Sequence, residues 1–204
     1  MPAEAVMRAL EHVWVTLEPL GRPMAVMGGI ALSAWKHIRA TQDVDILIAL
    51  DLDDQSVVLE LLRAAQVSPK REPPILNIGE TQILQLLYEP PQTFLTLQID
   101  LLLANSEFHR SALARRNSVI LPGVGTKVAV VSCEDLIIYK LMAGRILDRV
   151  DAAHLFRANR PRIDLVYLLR WTDQLAVRKE LNEIWKEALP DEPTPPDELG
   201  KSVL

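Results

Sequence analysis

The sequence predicts an α+β fold, with a small mixed β-sheet flanked by helices and followed by a helical C-terminal region. Three observations carry that expectation. Residues 44–50 form an almost wholly apolar run with β-branched character, the mark of a buried strand. Within residues 94–103, Leu95, Leu97, Ile99 and Leu101 alternate with Thr96, Gln98 and Asp100. That period of two belongs to a strand with one apolar and one polar face. From Ser132 onward the apolar residues recur at helical spacing instead.

The remaining elements follow in chain order. Ala5, Leu10, Val13, Trp14 and Leu17 stripe one face of a helix over residues 3–19, which Gly21-Arg22-Pro23 ends. Residues 24–27 are a short apolar run that stops at Gly28-Gly29, and Ile30, Leu32, Ala34 and Trp35 then return to helical spacing. Residues 51–54 read as a turn and helix start, with Val57, Val58, Leu61 and Leu62 as that helix's core face. Residues 75–88 read as a hairpin around Gly79, residues 106–116 as a basic helix, and residues 119–131 as extended chain broken by Pro122-Gly123 and Gly125. Ser132 with Asp135 forms an approximate capping box, and Asp164 is placed to cap a later helix. Residues 178–188 make a last helix, and residues 190–204, with four prolines, read as a disordered or draped acidic tail. The expected organisation is an α/β core at 1–131, a helical region at 132–189 and the tail at 190–204.

Composition narrows the function. The chain has 204 residues, a net charge of −5 and a single cysteine, Cys133, so no internal disulfide framework exists. The first ten residues carry Glu4 and Arg8 and lack the apolar stretch of a signal peptide, and no apolar run approaches the roughly 18 residues of a membrane span. A cytoplasmic protein is expected, with neither a membrane nor DNA as partner. Charge is uneven along the chain: residues 1–103 sum to −6 and residues 104–189 to +4. An acidic half followed by an arginine-rich half suits an anionic substrate. The four histidines have no ligand spacing with Cys133 or with one another, and the four tryptophans fall on apolar faces.

The chemistry concentrates in carboxylates. Asp43 and Asp45 stand two apart at the entrance to a strand and so share a face. Asp100 lies on the polar side of the alternating strand. Were the two strands neighbours, three carboxylates would meet, and such a group tolerates burial when a hard divalent cation, Mg²⁺ above all, holds it. Upstream, Gly28-Gly29 at a strand-to-helix turn lets backbone approach a phosphate closely.

The string Met27-Gly28-Gly29, a thirteen-residue spacer, then Asp43-Val44-Asp45-Ile46 resembles the signature of the polymerase-β-type nucleotidyltransferase superfamily. Ala31 and Trp35, Arg39-Ala40-Thr41, and Glu134-Asp135-Leu136 followed by Lys140-Leu141, Ala143, Arg145, Asp148 and Asp151 resemble its AbiEii-type toxin branch. The resemblance covers roughly residues 24–155. It implies a nucleotidyltransferase-like fold and an enzyme that moves a nucleoside monophosphate from an NTP to an acceptor, releasing pyrophosphate. It implies two Mg²⁺ ions on Asp43, Asp45 and Asp100. Gly28, Gly29, Arg39, Thr41, Lys140 and Asp148 would serve the nucleotide, with Lys140 also counted in the catalytic set. On one continuous helix Lys140 and Asp151 would fall within about 20° of each other, with Asp148 about 80° away. The branch implies tRNA or another RNA as acceptor and a cognate antitoxin as partner. An antibiotic-modifying nucleotidyltransferase of aminoglycoside or lincosamide type shares the same residues, and a catalytically inert, antitoxin-like binding module is the reading from outside the enzymes. The departures are Gly29, where many members carry Ser, a short spacing from Lys140 to Asp148, and Gly144, a helix breaker between them.

Overall fold

The computed structural model describes residues 2–50, 54–91 and 93–195. Part of the expected turn at 51–54 and residues 196–204 of the expected tail lie outside them. The described chain forms two compact units, one comprising residues up to Ala34 together with Arg39–Val131, the other Trp35–Ile38 together with residues from Ser132.

The first unit is built on an eight-stranded mixed sheet. Its elements are α1 (Pro2–Leu17), β1 (Met24–Val26), α2 (Gly28–Ala31), β2 (Asp43–Ile48), α3 (Gln55–Ala64), β3 (Val67–Pro69), β4 (Ile75–Ile78), β5 (Thr81–Tyr88), β6 (Leu97–Leu103), α4 (Glu107–Ala114), β7 (Asn117–Val119) and β8 (Val128–Val130). The strands lie in the order β3-β5-β6-β2-β1-β8-β7, and β4 pairs with β5 in the hairpin around Gly79. β2 runs parallel to β6, with Asp45 opposite Asp100, and antiparallel to β1.

The alternation in the sequence becomes two unlike faces. Val44, Ile46 and Ile48 of β2, Ile99, Leu101 and Leu103 of β6, and Leu84, Leu86 and Tyr88 of β5 are buried on one side. Each side chain of that kind contributes about 1.5–3 kcal/mol on burial. α1 and α4 both contact β2, and His12 of α1 stacks on Tyr88 with ring centroids 4.5 Å apart. The other side carries Asp43, Asp45, Gln85, Gln98 and Asp100, none of them buried. A one-residue slip would exchange the two faces, so the register is strongly specified.

The second unit is helical: α5 (Cys133–Ala143), α6 (Ile146–Asn159), α7 (Leu165–Gln174) and α8 (Arg178–Ala188). Ser132 Oγ caps α5 by accepting the Asp135 amide at 3.1 Å, and Asp164 Oδ1 caps α7 by accepting the Tyr167 amide at 3.0 Å. α5 packs on α6 and α7, and α6 on α8, where Phe156 meets Trp185 at 4.7 Å. Residues 35–38 belong here because Asn159 Nδ2 donates to the Trp35 carbonyl at 2.9 Å and Lys36 Nζ to the Ala158 carbonyl at 3.5 Å. Beyond α8, Glu192 pairs with Arg160 at 2.8 Å. No helix among the described residues is long and apolar enough to cross a membrane.

Candidate active site

β2 and β6 bring Asp43, Asp45 and Asp100 onto one face. In-register residues of parallel neighbours point the same way about 4.8 Å apart, so Asp45 lies beside Asp100 and Asp43 beside Gln98. The three carboxylates are not drawn together into a chelate: among the described residues no group of three His, Cys, Asp or Glu side chains is assembled to hold an ion. Two of the three aspartates are held by other groups. Asp100 is held by amides, accepting from Gln98 Nε2 at 3.1 Å on Oδ1 and 2.9 Å on Oδ2, and from Gln85 Nε2 at 3.5 Å on Oδ1. Asp45 is drawn toward the glycine turn on the other side of β2.

That turn is fixed by two close approaches. The Met27 amide donates to the Asp45 carbonyl at 2.9 Å, which ties the end of β1 to the second aspartate. Gly28 follows with φ +61°, and a Cβ there would stand 1.9 Å from Asp45 Oδ2, so the carboxylate fills the place a side chain would take. A Cβ on Gly29 would stand 2.5 Å from Thr41 Oγ1. The missing Ser side chain at position 29 therefore has a threonine hydroxyl in its place. α2 is a single turn, Gly28–Ala31, that runs on as a 3₁₀ turn over Leu32–Trp35. Arg39 is exposed, and its Nη1 donates to the Ala40 carbonyl at 3.0 Å.

The residue types fit a divalent cation. The donors are carboxylate oxygens, the hard ligands Mg²⁺ takes, and they are seated on backbone whose register is set by the ladder. Asp100 has its pKa raised above the ordinary 3.8, by burial first and by the neighbouring Asp43 charge, against the amide bonds of Gln98 and Gln85 and the charge of Lys70. A raised carboxyl pKa means the fold disfavours the ionised form, a cost absent below the ordinary value and fully present above the raised one. Asp100→Asn is therefore expected to raise the melting temperature of the metal-free protein at pH 7, with the gain vanishing below about pH 4. Thermal melts in EDTA across that range check it.

In the helical unit, Lys140 is buried with two carboxylates, Asp148 Oδ1 at 2.8 Å and Asp151 Oδ2 at 2.9 Å. Arg145 Nε lies 2.5 Å from Asp148 Oδ2, and His37 Nε2 lies 3.0 Å from Asp151 Oδ1 while stacking on His154. Burial pushes the Asp148 carboxyl up, but the Arg145 and Lys140 hydrogen bonds and charges outweigh it and hold the pKa below the ordinary value. The continuous-helix geometry is corrected here. Gly144, in the left-handed region at φ +67°, ends α5 and gives its amide to the Lys140 carbonyl. The chain folds back as α6, so both acids reach the lysine, which one helix face would not allow. Lys140 and Asp148, read from the sequence as nucleotide contacts, are engaged with each other. Cys133 is buried, and burial and then Glu134 push its thiol pKa far up.

No family model and no curated protein matches this chain by sequence. Solved structures do. An antigenic nucleotidyltransferase-like protein from Paracoccidioides brasiliensis superposes with a TM-score of 0.53 at 17% identity, over 92% of this chain and 90% of its own. The antibiotic-resistance factor ANT(2'')-Ia superposes with a TM-score of 0.56 at 10% identity, over 89% of this chain and 96% of its own. JHP933 from Helicobacter pylori gives 0.51 at 16% identity, over 93% and 76%. This chain has the nucleotidyltransferase fold.

Within the nucleotidyltransferase fold of this chain, the sequence marked the three aspartates, the two glycines and Thr41, and the structure gathers them all into the first unit. It missed Gln98, Gln85 and Lys70, which surround Asp100, and it missed His37, which meets Asp151 across 114 residues. Gln98 carried a signal, since it shares the polar face of the same strand two positions before Asp100.

Proposed function

We propose that this protein transfers a nucleoside monophosphate from an NTP to an acceptor hydroxyl and releases pyrophosphate. The observation that supports it is the placement of Asp43, Asp45 and Asp100 on one polar sheet face, with Asp45 seated on the Gly28 backbone. Asp43 and Asp45 would hold Mg²⁺, with Asp100 completing the set. When bound, the cation neutralises charge on the triphosphate and on the attacking and leaving oxygens of an in-line displacement. The chain's own residues do the rest. Gly28 and Gly29 admit the β- and γ-phosphates against backbone, and the Thr41 hydroxyl beside Gly29 donates to a phosphate oxygen. Asp100 orients the acceptor hydroxyl and accepts its proton as the acceptor oxygen bonds to the α-phosphorus and the bond to pyrophosphate breaks. Arg39 supplies a positive charge on the same connection as Thr41. Lys140 holds Asp148 and Asp151 in place and so braces the helical unit.

For the acceptor we propose tRNA or another RNA end, with the protein acting as an AbiEii-like toxin beside a cognate antitoxin. The surplus of +4 over residues 104–189 supports an anionic acceptor. A second reading, an antibiotic acceptor, draws on the fold shared with ANT(2'')-Ia over nearly its whole length.

The test is transfer of label from each α-labelled NTP, with Mg²⁺, into total RNA and into an aminoglycoside panel, for wild type and Asp43→Ala. Labelled RNA from wild type alone is the expected result. Labelled drug instead moves the acceptor to the second reading. Absence of both transfer and Mg²⁺-dependent NTP binding overturns the enzyme and leaves a binding module.

A further inference from the structure

We infer that Gln98 and Lys70 are positioning residues for Asp100, and that together they leave one carboxylate oxygen, Oδ2, open to the reaction. The inference rests on the reading above that Asp100 serves the acceptor.

Lys70 lies just past β3. Its backbone amide donates to the Gln85 carbonyl at 2.9 Å, which fixes the residue beside β5. Lys70 is exposed, yet its Nζ ends 2.5 Å from Gln98 Oε1. An ammonium only donates, so the oxygen end of the Gln98 amide must face Lys70. The NH₂ end is thereby turned to Asp100. The carboxylate at one end and the ammonium at the other favour the same orientation, since the flipped form would set an oxygen against a carboxylate and an NH₂ against an ammonium; removing Lys70 leaves only one of the two constraints.

Bond counting then separates the two oxygens of Asp100. A carboxylate offers about four lone-pair sites, two on each oxygen. Oδ1 accepts from both Gln98 and Gln85, whereas Oδ2 accepts from Gln98 alone. The remaining acceptor position is on Oδ2. Gln85 sits directly opposite Asp100 on β5, and Gln98 two residues before it on β6, so the array is imposed by sheet register rather than by a loop. The neutral amide also keeps Lys70 from pairing with Asp100 directly. A direct ion pair would occupy the carboxylate that the acceptor needs, while the interposed amide passes on orientation and only part of the charge.

The test compares Lys70→Met, Lys70→Arg and Gln98→Glu with wild type. It reads kcat and KM for nucleotidyl transfer, the side-chain amide ¹⁵N–¹H resonances of Gln98, and thermal melting. Lys70→Met is expected to lower kcat about 10- to 100-fold, the range typical of residues that orient a ligating group. KM for the NTP and the melting temperature should stay put, and the Gln98 amide resonances should shift. Lys70→Arg, which keeps a donor, should recover most of kcat and the wild-type resonances. Gln98→Glu, which has no donor for Asp100, should lose at least as much kcat as Lys70→Met. Wild-type kcat in Lys70→Met, equal losses in Lys70→Met and Lys70→Arg, or unmoved Gln98 resonances in Lys70→Met each overturn the inference. Should wild type transfer nothing, nucleotidyl transfer fails as the activity, and the resonances alone still decide whether Lys70 sets the Gln98 amide.

Discussion

Gly28→Ala is expected to lower nucleotidyl transfer by about 100-fold or more, although the substitution adds one methyl group and removes no charged side chain. Two costs coincide at this residue. Its φ of +61° lies in the left-handed region, where an L side chain costs about 1–2 kcal/mol. The new Cβ would also stand 1.9 Å from Asp45 Oδ2 and 2.6 Å from Asp45 Cγ, far inside contact distance. Either the turn or the carboxylate must move, and each displaces a member of the proposed site. Asp45 is the easier to move, because its side chain can swing while the Met27 amide stays on the Asp45 carbonyl. Steady-state kinetics with circular dichroism check this: a folded protein with kcat reduced is the expected pair. Full activity in Gly28→Ala would mean that the Asp45 carboxylate has no fixed position to lose.

Lys140→Met is expected to have the largest effect on stability, about 3–5 kcal/mol, the usual cost of breaking a buried ion pair from one side. The lysine is 5% exposed and answers two carboxylates that are themselves 1% and 2% exposed. Without it, Asp148 keeps Arg145 and Asp151 keeps its contact with His37, so both carboxylates remain buried with the lysine charge removed. For a chain of this length the loss corresponds to a fall of about 10 °C in the melting temperature. The pH dependence has a definite sign. The Asp148 pKa is held below its ordinary 3.8, so the stability it contributes is fully present above that value and is lost as the pH falls through the lowered one. Removing Lys140 should shrink this acid-labile portion, which denaturant melts between pH 7 and pH 3 would read. A melting temperature unchanged by Lys140→Met would show that the cluster is solvated rather than braced.

The sequence made the strands legible because their side chains follow a period of two. Asp43 and Asp45 had to share a face, and the alternation put Asp100 on the polar side of its strand. What the spacing left open was adjacency, and the pairing of Asp45 with Asp100 in a parallel ladder supplies it. The rest of the site depends on contacts between residues far apart in the chain. Gly28 meets Asp45 across seventeen residues, Lys70 meets Gln98 across twenty-eight, and His37 meets Asp151 across 114. No local pattern encodes such contacts. Lys140 shows the opposite problem. Its helical position was clear from the sequence, but its burial between Asp148 and Asp151 depends on the break at Gly144 that turns α6 back toward it. The loss of Ser at position 29 reads as a lost hydroxyl in the sequence, whereas the structure sets Thr41 Oγ1 against that glycine.

The central claim, that Asp43, Asp45 and Asp100 form a divalent-cation site serving a triphosphate, is tested most directly by diffraction at the manganese edge. Crystals would be grown with Mn²⁺ and a non-hydrolysable NTP analogue. The account predicts anomalous density against Asp43, Asp45 and Asp100, with the triphosphate lying on the Gly28-Gly29 backbone. Nucleotide bound elsewhere, or bound at the glycine turn with no anomalous density at these carboxylates, would contradict it.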